Sequence, residues 1–252
     1  MKIISWNLWD SNRNLDQSLK LAFNEKPDII CFQEFRKESK NLLKQYRKFD
    51  FFFAEDFSFP KRGVIIKCDL VIGIKKEYKA SFKKIKMPKK TKKNLLMKLT
   101  HWDEAVEFCY VDFEKNKTKF RLFNIHLSCA ANPERRNKEI KSVLRYKSKT
   151  RKNILCGDLN TFARIHYNFL VGWIFGFRFR DTLCNEQKKF LEIFKREKLV
   201  NIFCNKITYP LFGLQLDHII IPDTFEYSNT KTHKESILYS DHLMVSAVIK
   251  SK

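Results

Sequence analysis

Along this 252-residue chain, short apolar runs of strand length repeatedly stop or start at a residue capable of chemistry. Asn7 follows the run Lys2 to Trp6, Gln33 and Glu34 follow Asp28 to Phe32, and His126 closes Phe120 to His126. Gly157-Asp158-Leu159-Asn160 follows Asn153 to Cys156, while Asp217-His218 and Asp241-His242 stand at the starts of Leu216 to Ile221 and Leu243 to Ile249. Brief apolar runs rich in β-branched and aromatic residues favour strands. A rigid sheet holds side chains at its strand ends in fixed places, so the pattern predicts a fold that aims these groups into one cleft.

Between the strands lie three helical patterns. Leu15, Leu19 and Phe23 recur every four residues behind the candidate caps Asn14 and Asp16, and Pro27 ends the run. Pro133 opens a second helix where its missing N–H costs nothing, with Ile140, Val143 and Leu144 as the apolar stripe. Glu186 to Lys198 forms a third, turning Phe190, Leu191 and Phe194 inward. Gly63 to Ile74 carries two β-rich runs, and Ala105 to Phe113 pairs with Phe120 to His126 around a turn at Glu114 to Thr118. Hairpins mixed with helix crossovers predict an α+β fold in which two mixed β-sheets pack face to face with helices outside. Six glycines and six prolines form no linker cluster, so residues 1–252 are expected to be a single domain. Seven cysteines are spread singly without a Cys-x-x-Cys pair, and no signal-peptide pattern or bilayer-length apolar run is present. An intracellular, cytoplasmic protein is expected.

Hydrolysing a phosphodiester requires charge neutralisation, an aligned water and a stabilised leaving oxygen, and a divalent cation serves the first and last. Mg²⁺ or Mn²⁺ needs one or two hard carboxylates, for which Glu34 and Asp241 are the candidates. Asp158 is placed to orient or deprotonate water, and Asn160 to give an amide N–H to a phosphate oxygen. His242 is a general acid/base or phosphate donor that needs a carboxylate to fix its tautomer, and Asp217 is the candidate. His126 supplies a second imidazole near the leaving oxygen. His218 stays outside the predicted site, because neighbours on a strand point to opposite faces.

At these residues the chain resembles the endonuclease/exonuclease/phosphatase superfamily. The matching strings are Ser5-Trp6-Asn7, Gln33-Glu34, Asn124-Ile125-His126-Leu127, Gly157-Asp158-Leu159-Asn160, Leu216-Asp217-His218-Ile219 and Ser240-Asp241-His242. The resemblance implies a four-layer αββα sandwich and Mg²⁺- or Mn²⁺-dependent phosphoester hydrolysis. It makes Glu34 the principal metal ligand with Asn7 and Asp241 nearby, and Asn7, Asn160, His126 and His242 the phosphate-facing residues. It makes Asp158, Asn160, Asp217, His126 and His242 the catalytic set. Abasic-site endonucleases carry an acid two residues after the first Asn, where this chain has Trp9. Some relatives also pair the second imidazole with an acid, for which Glu55, Asp56, Asp69 and Glu77 are all open.

Fifty Lys and Arg against 28 Asp and Glu leave a formal charge of +22, a field that attracts polyanions. Lys79 to Lys98 alone holds nine lysines and no acid, either a solvated loop or a phosphate-tracking arm. These features favour a nuclease acting on DNA or RNA as a monomer. The aromatic segment Tyr167 to Phe179 together with the lysine-rich stretch keeps an anionic membrane surface, and hence a lipid phosphoesterase, as the alternative. A non-catalytic polyanion-binding module is the third reading.

Overall fold

In a computed structural model the described residues are 1–61, 63–88, 106–162, 168–169, 172 and 177–251. Twelve strands form two six-stranded sheets. The first is assembled in the order β11 (Phe225–His233), β12 (Met244–Ser251), β1 (Lys2–Asn7), β2 (Ile29–Arg36), β4 (Val64–Lys75) and β3 (Phe49–Lys61). The second runs β5 (Ser81–Lys86), β6 (Glu107–Lys115), β7 (Thr118–His126), β8 (Lys152–Asp158), β10 (Asp217–Pro222) and β9 (Leu199–Asn201). Each sheet has one parallel pair, β1 with β2 and β7 with β8, and all its other pairings are antiparallel. A parallel pair needs a crossover, and helices α1 (Leu15–Asn24) and α2 (Pro133–Leu144) supply the two. The helical turn α3 (Phe179–Thr182) and helix α4 (Glu186–Arg196) follow β8.

Strand alternation gives each sheet two buried faces. Ile3, Cys31, Leu70 and Ile72 of the first sheet meet Val111, Leu122, Ile154 and Ile219 of the second in the central core. The opposite face of the first sheet, with Ile4, Trp6, Ile30 and Phe32, takes Leu15, Leu19 and Ala22 of α1. The outer face of the second, with Phe123, Ile125 and Leu155, takes Ile140 and Val143 of α2 and Phe190 and Phe194 of α4. The layers are therefore helix, sheet, sheet, helix, as expected. Pro133 occupies the first turn of α2 and Asn132 caps it by accepting from the Arg135 N–H.

Some expectations change in detail. Gly63 to Ile74 is not two runs but the single strand β4, paired along its length with β3, which the sequence reading missed. The start of the lysine-rich stretch is not a loop: residues 81–86 form edge strand β5, where Lys83, Lys84 and Lys86 are exposed and protect the edge from pairing with another chain. Residues 89–98 of that stretch, and all of Tyr167 to Phe179 except 168, 169, 172 and 177–179, lie outside the described residues. All seven cysteines are free. Among the described residues no helix is long and apolar enough to cross a membrane.

One buried ion pair fixes the chain leaving β8. Arg136 on α2 is fully buried and donates through Nε and Nη2 to the two carboxylate oxygens of Glu186 at 2.8 Å each. Glu186 also accepts from the Phe162 N–H, so α2, α4 and the segment after Asn160 are tied together. Removing one member of such a pair costs about 3–5 kcal/mol, because the other is left buried and unpaired.

Candidate active site

Three site residues lie side by side across the second sheet. His126 on β7 is in register with Asp158 on β8, which is in register with Asp217 on β10. The close approach that allows this row is made by Gly157. Its φ is +137°, and a Cβ there would lie 1.8 Å from the Ile125 carbonyl oxygen, so no side chain fits. Asp158 and Asp217 as direct cross-strand neighbours repel each other. The arrangement favours chemistry over stability.

From the first sheet, Asn7 at the end of β1 reaches across the gap and donates its amide to Glu34 Oε1 at 2.9 Å and Asp158 Oδ2 at 3.0 Å. Asn7 Oδ1 accepts from the Trp9 N–H, and Glu34 Oε2 accepts from the Asp10 N–H, so the loop after β1 wraps the Glu34 carboxylate. Beneath the site Gln33 donates to Asn124 Oδ1 at 2.7 Å, and Asn124 donates to the Phe32 and Val71 carbonyls, stitching the two sheets together.

Two β-bulges aim the remaining acids. The β2 to β4 pairing shifts register between Phe32 and Phe35, and Glu34 sits in this bulge with φ +56°, within a strand that continues to Arg36 rather than ending before it. The β3 to β4 pairing shifts between Glu55 and Phe57, which leaves Asp56 as the extra residue. Asp56 is fully buried, and its Oδ2 accepts from the Glu34 N–H at 3.0 Å. Both its oxygens lie 3.0 Å from His126 Nδ1. Of the four acids left open by the sequence, Asp56 is the partner of His126.

His242 lies in a bend before β12, with its carbonyl accepting from the Trp6 indole N–H and its own N–H donating to Ser240 Oγ. Its Nδ1 is 2.8 Å from Asp217 Oδ2 and its Nε2 is 3.7 Å from Asp158 Oδ2. His126 Nε2 is also 3.7 Å from Asp158 Oδ2, and 3.9 Å from Glu34 Oε1. Asn160, with φ +47°, gives its backbone N–H to Asp158 Oδ1 and one amide N–H to the Leu127 carbonyl. A primary amide has two N–H groups, so one remains for a substrate oxygen. Of the residues expected from the sequence, Asn7, His126, Asn160, Asp217 and His242 thus gather at Asp158, Glu34 joins them through Asn7, and Asp241 is near enough to Glu34 to raise its pKa.

Burial works against charge on both imidazoles, but the acids around them prevail. Asp56, with Asp158 and Glu34, pushes His126 up to about 10, and Asp217 with Asp158 does the same for His242. Both are imidazolium at neutral pH. Burial lifts Glu34 to about 7 and raises Asp158 and Asp241, the last two opposed by His242. The donor set fits a hard divalent cation: Asp241 is near enough to Glu34 to act on its charge, a buried Asp217 Oδ1 has no hydrogen-bond partner, and ligand atoms of Asp158, Asp217 and His242 lie within 4.8 Å of one another.

Tyr209, whose ring centroid is 4.9 Å from that of His242, lies outside every motif, and Ser240, part of a matching string, is given no role by the sequence reading. No curated protein matches the sequence. The profile of the Endonuclease/Exonuclease/phosphatase family matches residues 4–242. Among solved structures, an endonuclease/exonuclease/phosphatase from Beutenbergia cavernae superposes with a TM-score of 0.73 at 12% identity, covering 100% of this chain and 71% of that one. D. rerio TDP2 complexed with single strand DNA product gives 0.62 at 14% identity, covering 100% and 99%. The Bacteroides thetaiotaomicron mannosyl-6-phosphatase Bt3783 gives 0.63 at 14%, covering 99% of each chain.

Proposed function

The chain belongs to the endonuclease/exonuclease/phosphatase family, and from that premise we propose that it is a Mg²⁺- or Mn²⁺-dependent phosphodiesterase that cleaves nucleic acid. The observation that carries the reading is Asp158 Oδ2 lying 3.7 Å from Nε2 of both His126 and His242, each imidazole oriented by a second carboxylate. Glu34 and Asp241 would hold the divalent cation, which when bound would supply charge neutralisation at the phosphoryl group and the departing oxygen.

The chain's own residues supply the rest. Asn7 and the Asn160 N–H fix the Asp158 carboxylate, and burial makes it more basic, so it orients and deprotonates the attacking water. Asp217 accepts a hydrogen bond from the Nδ1–H of His242, leaving Nε2–H to donate to a phosphoryl oxygen whose charge grows in the transition state. Asp56 orients His126 in the same way, so that its Nε2–H faces the leaving oxygen. The second amide N–H of Asn160 adds a phosphate donor.

Nucleic acid is favoured as substrate by the +22 charge and by the likeness to TDP2 in complex with single-stranded DNA. The test is hydrolysis of labelled single-stranded and duplex DNA and RNA, phosphoinositides and sphingomyelin liposomes, each with Mg²⁺ or with EDTA. Metal-dependent cleavage of a nucleic acid, lost in Asp158→Ala, is the expected result. Cleavage of lipid alone, or turnover that survives EDTA, refutes the proposal.

A further inference from the structure

A cleft of about 620 Å³ opens beside the catalytic centre, between the loop after β1 and the segment that precedes β12. Asp241 lies on its wall, so the cleft is continuous with the site. Its volume is in the range that holds a nucleotide-sized ligand. The two walls are tied together at the site, where Ser240 Oγ donates to the Asn7 carbonyl at 2.7 Å.

Trp9 forms one wall. A bulky residue with a left-handed backbone is strained and persists only where its surroundings over-determine it. Trp9 has φ +60°, and its N–H is bound by Asn7 Oδ1 while the next N–H is bound by Glu34 Oε2. The turn that wraps the catalytic carboxylate therefore throws the indole outward, where it remains 42% exposed at the cleft. Its position is locked to the reacting centre through Asn7. Ile237 and Leu238, also exposed, face it from the opposite wall and leave an apolar slot between.

The slot is not uniformly apolar. Arg13, Asn12 and Asn14 line it on the side of the β1 loop. Arg13 is exposed and joins no ion pair among the described residues, although acids and bases pair freely elsewhere on this surface. Arg13 gives the slot an attraction for an anion apart from the site's own acids. A ligand that joins a flat, uncharged ring to a phosphate matches this distribution, while an acyl chain leaves Arg13 without a partner.

We propose that this cleft binds an unpaired nucleotide next to the scissile phosphate, its base stacked on Trp9 and its phosphate held by Arg13. The inference rests on the phosphodiesterase reading of the adjoining site and narrows it to single-stranded or locally unpaired substrate, because a base stacked on an indole presents a free face.

Binding separates this inference from catalysis. The Asp158→Ala protein is titrated, with Mg²⁺ present, into a fluorescein-labelled 12-nucleotide single strand and read by anisotropy. Adding Trp9→Ala is expected to weaken binding about 5- to 100-fold, the range found for loss of one stacked base, and Trp9→Phe to restore most of it. Arg13→Ala is expected to weaken binding and to lower the slope of log affinity against log salt by about one. A single abasic residue, scanned along the strand, is expected to cost affinity at one position with Trp9 and at none with Trp9→Ala. A Trp9→Ala change of less than about twofold, a flat abasic scan, equal affinity for duplex, or a Trp9 effect seen only on anionic liposomes overturns the proposal. If wild-type protein cleaves single strands while those outcomes hold, the subsite alone is wrong. If no nucleic acid is cleaved yet the Trp9 and abasic effects are found, the subsite stands and the phosphodiesterase reading fails.

Discussion

The chain carries the same dipeptide twice, and the structure treats the copies differently. Asp217-His218 opens β10, where side chains alternate between faces. Asp217 enters the site, while His218 turns to the other side, where its Nδ1 meets the amides of Asn201 at 2.9 Å and Gln215 at 3.1 Å. Asp241-His242 lies in a bend just before β12, free of that alternation; Asp241 lines the cleft and His242 reaches Asp217 and Asp158. Burial among neutral groups pulls His218 down to about 4, whereas burial beside two carboxylates leaves His242 at about 10. Identical residues thus become a neutral structural imidazole and a charged one within the candidate site because their backbones differ.

The sharpest way to break this comparison is to remove each imidazole. His242→Ala is expected to lower kcat by about 10³-fold, within the range for loss of a general acid or an oxyanion donor, with the fold retained. His218→Ala is expected to leave kcat within about threefold and to cost about 2 kcal/mol of stability, since two buried amides lose their acceptor. Steady-state kinetics and urea titration of the two variants measure this. Equal kinetic losses would show that the dipeptides share a role.

Next in size is the effect of pH, where the two histidines act in opposite directions. His242 has its pKa raised by folding, so the stability it contributes is complete below about 6.5 and is lost as pH rises through about 10. His218 has its pKa lowered, so its contribution is present above about 6.5 and is lost as pH falls through about 4. Thermal melts from pH 4 to 10.5 are expected to show His218→Gln flattening the acid side and His242→Gln the alkaline side. Activity follows His242: kcat declines as pH rises through about 10. Asp217→Asn removes the charge that holds the proton on His242, so the decline moves toward neutral pH and kcat at pH 8 drops about 10²-fold.

The difference between the copies also marks how far the sequence can be read. That His218 points away followed from strand period alone, and the αββα layering followed from apolar runs alternating with helical stripes. Asp56 did not follow. It is the extra residue of a β-bulge, and a bulge changes the parity that decides which face a side chain takes, so Glu55 and Asp56 could not be separated without their partner strand. Strand β3 itself was missed because its run of phenylalanines, three of them consecutive at 51 to 53, shows no alternation. Glu34 was found by its motif, yet the bulge that turns it toward Asn7 needed the same cross-strand information. Local pattern named the reacting groups; long-range register aimed them.

The smallest expected effect concerns the hydroxyl that braces each copy. Thr208 Oγ1 accepts from the N–H groups of both Leu216 and Asp217 at 2.9 Å, while Ser240 Oγ accepts from the His242 N–H at 3.1 Å and donates to the Asn7 carbonyl. Thr208 serves two donors within one loop and sheet, so Thr208→Val is expected to cost about 1–3 kcal/mol of stability through unsatisfied backbone groups. Its effect on kcat should be small, because β10 still pairs with β8 from Asp217 onward. Ser240 instead ties the His242 bend to the end of β1, which carries the amide that positions Asp158. Ser240→Ala is therefore expected to lower kcat about threefold to tenfold with a smaller change in stability, since slack of a fraction of an ångström at a reacting group already slows the chemistry. Crossing Ser240→Ala with Asn7→Ala in a double-mutant cycle decides the matter: a sub-additive loss means that the brace acts through Asn7, and full additivity means that it does not.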